Sequence, residues 1–397
     1  MKTGWQTKKL GDVCSLLNRG ISPAYLEEGG VCVLNQKCVR DHEVSYEPSR
    51  RHDSKAKKVA EERFIQLGDV LVNSTGTGTL GRVAQVRNEP EEATTVDSHV
   101  SIVRPKPGLF HLDFFGYMLV VIEDAIKEAG EGCGGQTELA RSVLAERFSV
   151  SYPESLAEQQ RIVGLLDEAF EGLATARANA EKNLQNARAL FESHLQSVFT
   201  QRGPGWVEKP LGEVADLLDC LHKTPTYAET GFPMVRVTDI KPGLLDLSKT
   251  RKVDEQTFIA FSKGRTPRAG DIVFSRVGSC GVSALVSSDE PFCLGQNTVF
   301  ILPKINSMLL YHFLNSPNAK EQFKEFIDGT TQPTISMKSI RQVAVPIAPP
   351  AEHSRLVASL DSMREETQRL FRLYERKIVA LEALKKSLLH QAFSGEL

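Results

Sequence analysis

The chain carries one pattern twice, and a doubled pattern restricts the fold more than any single motif does. Gly4-Trp5, Leu10-Gly11-Asp12-Val13 and Leu16-Leu17 recur as Gly205-Trp206, Leu211-Gly212-Glu213-Val214 and Leu217-Leu218. Each copy runs through a strand-rich stretch and closes with one long helical segment. Segments 158–199 and 352–393 align without a gap. A repeat period of about 200 residues indicates duplicated domains, not a short-period solenoid. Two unlike β-rich units, each followed by a matched helix, suit a reader of two separate marks on one target better than a single active site.

The punctuation inside the copies agrees. Val31-Cys32-Val33-Leu34, Asp69-Val70-Leu71-Val72 and Val100-Ser101-Ile102-Val103 are short apolar runs bounded by Gly, Pro or Asp, as strands are. Gly270-Asp271-Ile272-Val273-Phe274 answers Gly68-Asp69-Val70-Leu71-Val72, and Val299-Phe300-Ile301-Leu302-Pro303-Lys304 answers Ser101-Ile102-Val103-Arg104-Pro105-Lys106. One helix is expected over 114–129 and its counterpart over 309–326.

The long helices have readable edges. Ser155-Leu156-Ala157-Glu158 is a capping-box pattern, Pro349-Pro350 suits the first turn of the second helix, and Gly203 and Gly395 follow the two ends. Ile162, Leu166, Ala169, Leu173, Ala176, Ala180, Leu184, Ala187, Phe191, Leu195 and Val198 step by three and four. So do Leu356, Leu360, Met363, Leu370, Tyr374, Ile378, Leu381, Leu384 and Leu388, apart from one wider step. A coiled-coil-like stripe accounts for both series; helices buried in separate globular cores are the alternative. At 1.5 Å per residue each helix is about 60 Å long. Antiparallel packing would return Leu397 towards Met1. The expected architecture is α+β: two β-rich domains in a pseudo-two-fold arrangement, separated by two long antiparallel coiled-coil helices. Its boundaries are 1–153, 154–203, 204–348 and 349–397.

Bulk composition excludes little. With 41% hydrophobic and 25% charged residues the chain is ordinary for a globular protein, and a formal charge of -2 does not announce a nucleic-acid partner. Cys14, Cys32, Cys38, Cys133, Cys220, Cys280 and Cys293 are odd in number, scattered and free of C-x-x-C pairs, which favours reduced thiols over disulfides or zinc. No signal-peptide pattern opens the sequence, and the apolar stretch at 117–122 is far short of the roughly 20 residues a membrane span needs. A cytoplasmic protein with no membrane partner is expected.

Taken together these features resemble the specificity subunit of type I restriction–modification systems. The carriers are the doubled Gly-Trp…Leu-Gly-Asp/Glu-Val opening, the Ser22-Pro23 and Thr224-Pro225 turns, and the Gly-Asp strands at Gly68 and Gly270. Further carriers are the Gly329-Thr330-Thr331-Gln332-Pro333-Thr334-Ile335 loop and Pro153…Glu158-Gln159-Gln160-Arg161-Ile162-Val163. The resemblance spans essentially the whole chain. It implies one target-recognition domain per half of a split double-stranded DNA site. It also implies a helical spacer that docks two methyltransferase subunits, with restriction/translocase subunits joining for cleavage. S-adenosylmethionine and ATP/Mg would then belong to those partners, leaving this chain non-catalytic and without a cofactor. Two places depart from the pattern: Gly134-Gly135-Gln136-Thr137-Glu138-Leu139 differs from the second-copy loop, and Glu352-His353-Ser354-Arg355 replaces Glu158-Gln159-Gln160-Arg161.

The chemistry a catalyst needs is not written in the residues. Gly76-Thr77-Gly78-Thr79-Leu80-Gly81 spells G-x-G-x-x-G, but Arg82-Val83-Ala84-Gln85-Val86 alternates like a strand, whereas a dinucleotide site needs a helix there. A glycine-rich turn with positive φ angles is expected instead. There is no G-x-x-x-x-G-K-[ST] loop, no Asn-Pro-Pro-aromatic tetrapeptide and no H-E-x-x-H. His99 reads as a structural histidine.

Basic residues cluster in matching regions. Lys37, Arg40, Arg50, Arg51, Lys55, Lys57 and Lys58 recur in kind as Lys249, Arg251, Lys252, Lys263, Arg265 and Arg268. They are either phosphate contacts, which set affinity and register, or a solvated charged surface. Base readout needs paired donors and acceptors. Its candidates are Asn35, Gln36 and Arg82 in the first domain, and Arg236, Arg276 and Asn297 in the second. Asn35 aligns with Arg236, a chemical difference that either two different half-sites or neutral drift would leave. A protein-binding scaffold is the chief rival reading, and a stand-alone nuclease or methyltransferase the weaker one.

Overall fold

The computed structural model describes residues 4–130, 137–329 and 332–397. Gln136, Thr330 and Thr331, which carry the loop difference noted above, and Cys133 lie outside the described residues. The chain divides into two compact units, residues 1–179 with 377–397, and residues 180–376.

In the first unit Trp5–Lys9 pairs antiparallel with Ser149–Pro153. A four-stranded antiparallel sheet runs Cys14–Arg19, Val100–Pro105, Val70–Asn73, Val83–Gln85. A second sheet orders Thr94–Val96, Val31–Leu34, Arg50–His52 and Tyr25–Leu26, with the first pair parallel. The second unit repeats this. Val207–Pro210 pairs with Ala344–Ile347, and Ala215–Asp219, Thr298–Pro303, Ile272–Ser275 and Ser283–Leu285 form the antiparallel sheet. Arg251–Val253, Phe232–Val235 and Cys293–Leu294 form the smaller one.

The uninterrupted apolar strands follow from burial on both faces. Val70, Val72 and Val103 point into one core, while Leu71 and Ile102 point into the other. Ile272, Phe274 and Ile301 oppose Val273 and Phe300 in the same way. Because successive strand side chains alternate in direction, both sets must be apolar.

The repeated opening motif has a packing cause. Leu10–Val13 and Leu211–Val214 are single helical turns whose Leu and Val are buried. A Cβ on Gly11 would stand 3.0 Å from the Ala145 Cβ, and one on Gly212 would stand 3.2 Å from the Arg341 Cβ. Glycine lets each turn lie against the helix that follows late in its unit, Arg141–Glu146 or Met337–Gln342.

Both expected short helices are broken in two. The first is Leu112–Val121 and Glu123–Glu128, interrupted at Ile122. The second is Ser307–Leu314 and Pro317–Phe326. There the Ser316 hydroxyl caps a new helix at the Ala319 amide, and Pro317 occupies the first turn, where it can begin a helix but not continue one.

The long helices span Leu156–Thr200 and His353–Ser394. Both accounts of the apolar stripe hold in part. The ends enter globular cores: Ile162 and Leu166 share the first unit's core with Leu389, Ala392 and Phe393, and Leu195 and Phe199 share the second's with Leu356 and Leu360. Between the ends the helices run antiparallel within each unit, with Arg177 on Glu382 at 2.7 Å in one and His194 on Ser359 at 3.3 Å in the other. Leu384 leaves the expected stripe and is exposed, while buried Thr367 fills the wide step, its hydroxyl bonded back to the Met363 carbonyl at 2.8 Å.

The departure at the start of the second helix is conservative in function. Gln159 is fully buried and donates to the Pro153 carbonyl at 2.9 Å, and its Oε1 accepts from the His111 amide at 2.8 Å. In the second unit His353 Nε2 meets the Ala348 carbonyl at 2.9 Å. An imidazole and an amide thus tie each helix start to the strand before it.

Candidate nucleic-acid interface

The Gly-Asp pair builds the frame of each recognition unit. Gly68 (φ 86°) and Gly270 (φ 92°) adopt the left-handed turn that precedes the central strand. Asp69 Oδ2 accepts the Gln66 amide at 2.8 Å, and Asp271 Oδ2 accepts the Arg268 amide at 2.9 Å. Each carboxylate also holds an arginine, Arg104 on Asp69 and Arg265 on Asp271. Arg104 comes from a strand and Arg265 from the segment after helix Glu255–Ser262, so the Asp persists while its partner moves.

Above this frame the strand ends make an edge. In the first unit Arg19 closes its strand, Ser74 and Thr75 follow theirs, and His99 precedes the third; the Ser74 amide donates to the His99 carbonyl at 2.8 Å. The same bond joins the Arg276 amide to the Asn297 carbonyl at 3.1 Å. Arg19 faces Ser101 in register and Asp219 faces Val299, so a cation in one unit stands where the other has an anion.

The two edges are wired differently. In the first, the Thr75 hydroxyl lies 2.7 Å from His99 Nδ1, and Gln36 Nε2 donates to Thr75 Oγ1 at 2.6 Å and to its carbonyl at 2.8 Å. Asp97 Oδ1 accepts the His99 amide at 2.9 Å. Arg19 is spent on Glu138 at 2.7 Å and on the Leu139 carbonyl at 2.8 Å. His99, expected as a structural histidine beside apolar strands, is exposed on this edge. In the second, His222 Nε2 lies 2.9 Å from Asp219 Oδ2 and 3.2 Å from Arg276 Nη2. Asp219 Oδ1 and Arg276 Nε, both shielded from solvent, face each other as an ion pair at 3.7 Å, too far apart for a hydrogen bond. Asn297 holds φ 66°, its backbone N–H meets the Cys220 thiol, and its side-chain carboxamide makes no hydrogen bond among the described residues.

Asp219, Cys220 and His222 are close enough to hold a metal ion. Their surroundings oppose one: the Arg276 cation already sits on His222, and burial pushes the Cys220 thiol up, away from the thiolate a metal requires.

The glycine loops behave as turns. Gly76, Gly78 and Gly81 have φ of 107°, 75° and 82°, and strand Val83–Gln85 follows. Gly281, at 87°, corresponds to Gly81, and a Cβ there would press on Phe323.

The sequence candidates sort into engaged and open groups. Asn35 caps the turn Gln36–Cys38, accepting from the Lys37 amide at 2.8 Å and donating to the Pro48 carbonyl at 2.6 Å. Gln36 is held by Thr75 and Thr79. Neither amide presents a free donor–acceptor pair for adenine. Arg236, at the matching cap, is clasped by Asp239 at 2.9 and 2.8 Å. Arg82 donates to the Gly78 carbonyl. Lys57 ties to the Ser22 carbonyl, Lys263 to the Asp219 and Cys220 carbonyls, and Arg51 to Glu92. Pulling Arg265 from Asp271 would strand a largely buried carboxylate at about 3 to 5 kcal/mol, more than one phosphate contact returns. Lys37, Lys55, Lys58, Lys249, Lys252 and Arg268 are exposed, with no side-chain hydrogen bond or ion pair among the described residues, and Arg40 touches only Asp41 at 3.5 Å. Arg50 and Arg251 stack on Tyr25 and Tyr227. Sequence reasoning missed Arg19, Thr75, Asp219 and His222; the gapless alignment sets Arg19 against Cys220, and only the register irregularity between Arg104 and Pro105, which shifts the first unit's strand by one residue, brings Arg19 onto the position of Asp219.

Known proteins share this frame. The chain is 24% identical over 170 residues to the type I restriction enzyme EcoBI specificity subunit of Escherichia coli, a match that covers 42% of this chain and 36% of that protein. Its fold is similar, at a TM-score of 0.80 and 18% identity, to a chain from a solved type I R-M system assembly, covering 100% of this chain and 99% of that one. The HsdS subunit from Thermoanaerobacter tengcongensis is similar at a TM-score of 0.58 and 18% identity, covering 100% and 98%. The family described as type I restriction modification DNA specificity domain matches residues 2–183 and again 204–373. With both halves of the sequence accounted for in this way, the chain belongs to that family.

Proposed function

We propose that this chain is the DNA-specificity subunit of a type I restriction–modification complex and binds an asymmetric, bipartite double-stranded site. The observation that carries the reading is the pair of edges. They stand on one frame, yet Arg19 occupies the register of Asp219 and His99 that of Asn297. A shared frame with different hydrogen-bonding groups suits two readers of two different sequences. Arg276, Asn297 and His222 would read bases in the second unit, and Thr75, His99 and Arg82 in the first. The open lysines and arginines would set register on phosphates.

Two methyltransferase subunits would dock on the long helices, where Leu165, Leu190, Leu373, Val379 and Leu384 are exposed. S-adenosylmethionine, ATP and Mg would be bound by those subunits and by the restriction/translocase subunits, with this chain non-catalytic. The complex would work in the cytoplasm; no helix among the described residues is long and apolar enough to cross a membrane.

The test is a domain exchange. Residues 206–348 are replaced by the equivalent unit of another family member, the chain is co-produced with its methyltransferase partner, and genomic methylation is mapped. One half of the methylated motif should change and the other stay. A change in both halves, or in neither, would refute the modular reading.

A further inference from the structure

One surface feature recurs at the same register in both units and lies outside the base-reading edge. Tyr25 belongs to the strand that pairs with Arg50–His52, with Leu26 opposite Arg51. In the second unit Ala228 bridges Lys252, which places Tyr227 where Tyr25 stands. Arg50 faces Val33 and Arg251 faces Met234, and these two follow equivalent strands into the matching capped turns. The Arg50 guanidinium lies 3.8 Å from the Tyr25 ring centre, and that of Arg251 lies 4.7 Å from the Tyr227 ring centre. Both tyrosines are exposed, at 44% and 38%, as are both arginines.

The recurrence is informative because the surroundings differ. Strand Tyr25–Leu26 is the edge of the first unit's second sheet, whereas the second unit has an isolated bridge there and adds helix Glu255–Ser262. Residues that read bases diverge between the units; the Tyr–Arg pair does not. An arginine stacked on a ring has its plane fixed while its in-plane donors stay free, which is the preparation a phosphate contact needs.

We propose that Tyr25–Arg50 and Tyr227–Arg251 are matched clamps for the sugar–phosphate backbone of duplex DNA, one per half-site. They fix each unit in register without reading sequence. The tyrosine positions the guanidinium, and the guanidinium takes the phosphate. Exposed Lys55 and Lys58 near one clamp, and Lys249 and Lys252 near the other, add the same sign of charge. This proposal rests on the DNA-binding reading above.

The test is fluorescence anisotropy of the full chain with labelled duplexes of several random sequences, between about 50 and 200 mM salt. Arg50→Ala should weaken binding about three- to tenfold on every duplex and flatten the log–log salt slope by about 0.9, the share of one phosphate. Arg50→Ala with Arg251→Ala should flatten it by about twice that. Tyr25→Phe should bind as the parent does, and Tyr25→Ala should fall between the parent and Arg50→Ala. Melting temperatures should not move, since both residues are exposed. An unchanged slope and affinity in Arg50→Ala would overturn the clamp, as would a loss confined to one duplex sequence. So would an intact DNA slope with lost capture of a purified methyltransferase subunit, which would make the pair a protein contact. A parent chain without salt-dependent binding to any duplex would instead overturn the DNA reading itself, and it is measured first.

Discussion

Phe393 lies almost at the end of the chain, yet it packs in the core of the first unit. It is 8% exposed, and its ring centre is 4.8 Å from that of Phe114. Its counterpart Phe199 is 1% exposed and stands 5.4 Å from Phe313 in the second unit. Each recognition core is therefore completed by the far end of a helix that left the other unit in sequence. Truncating a buried Phe to Ala costs about 3 to 5 kcal/mol in lost transfer energy and cavity. At about 1.4 kcal/mol per tenfold, the local opening equilibrium should rise by about two to three and a half orders of magnitude. Hydrogen exchange read by mass spectrometry separates the units. Phe393→Ala should strip protection from strands Cys14–Arg19, Val70–Asn73 and Val100–Pro105 and leave Ala215–Asp219, Ile272–Ser275 and Thr298–Pro303 protected. Phe199→Ala should do the reverse. Loosening of the second unit by Phe393→Ala, following chain order and not packing, would refute the reasoning.

Three further outcomes follow from the geometry. Inserting four residues into each long helix adds about 6 Å, near two base-pair steps; the methylated motif should keep both halves and gain spacing, and an unchanged gap would reject the helices as a ruler. Arg265→Met should destabilise the second unit by about 3 to 5 kcal/mol because the buried Asp271 carboxylate loses its partner, while Asp271→Asn with Arg265→Met, which keeps an acceptor for the Arg268 amide, should recover part of that in a denaturant titration. Burial holds His312 below the ordinary histidine pKa, with Asp361 at 3.3 Å opposing and Arg364 reinforcing. A depressed folded pKa leaves stability whole above the ordinary value of about 6.5 and erodes it as pH falls towards the folded one; His312→Gln should flatten that part of the second unit's pH–stability curve.

What the sequence made legible was what packing enforces. Apolar runs buried on both faces, left-handed glycines and the three-and-four stripe each have a local pattern with one good solution, and the duplicated order multiplied their weight. The breaks at Ile122 and Ser316-Pro317 were legible only in part. A proline after a serine signals a new helix start, but at Ile122 nothing in the residues does. The site was harder because polar side chains have several ways to be satisfied. Asn35 and Gln36 have the right groups for adenine and spend them on backbone and threonine; Arg265 has the right charge and spends it on Asp271. Which partner wins is decided by residues distant in sequence, so composition could find the basic regions but not the free donors within them. The comparison that sharpened the assignment was between the two copies. Where both units keep a polar pair, as at Tyr25–Arg50 and Tyr227–Arg251, a contact common to both is expected. Where they differ at one register, as at His99 and Asn297, two different half-sites or neutral drift would each leave that difference, and the domain exchange separates the two. An internal duplication is in this sense its own control, because both units stand on one frame within one chain.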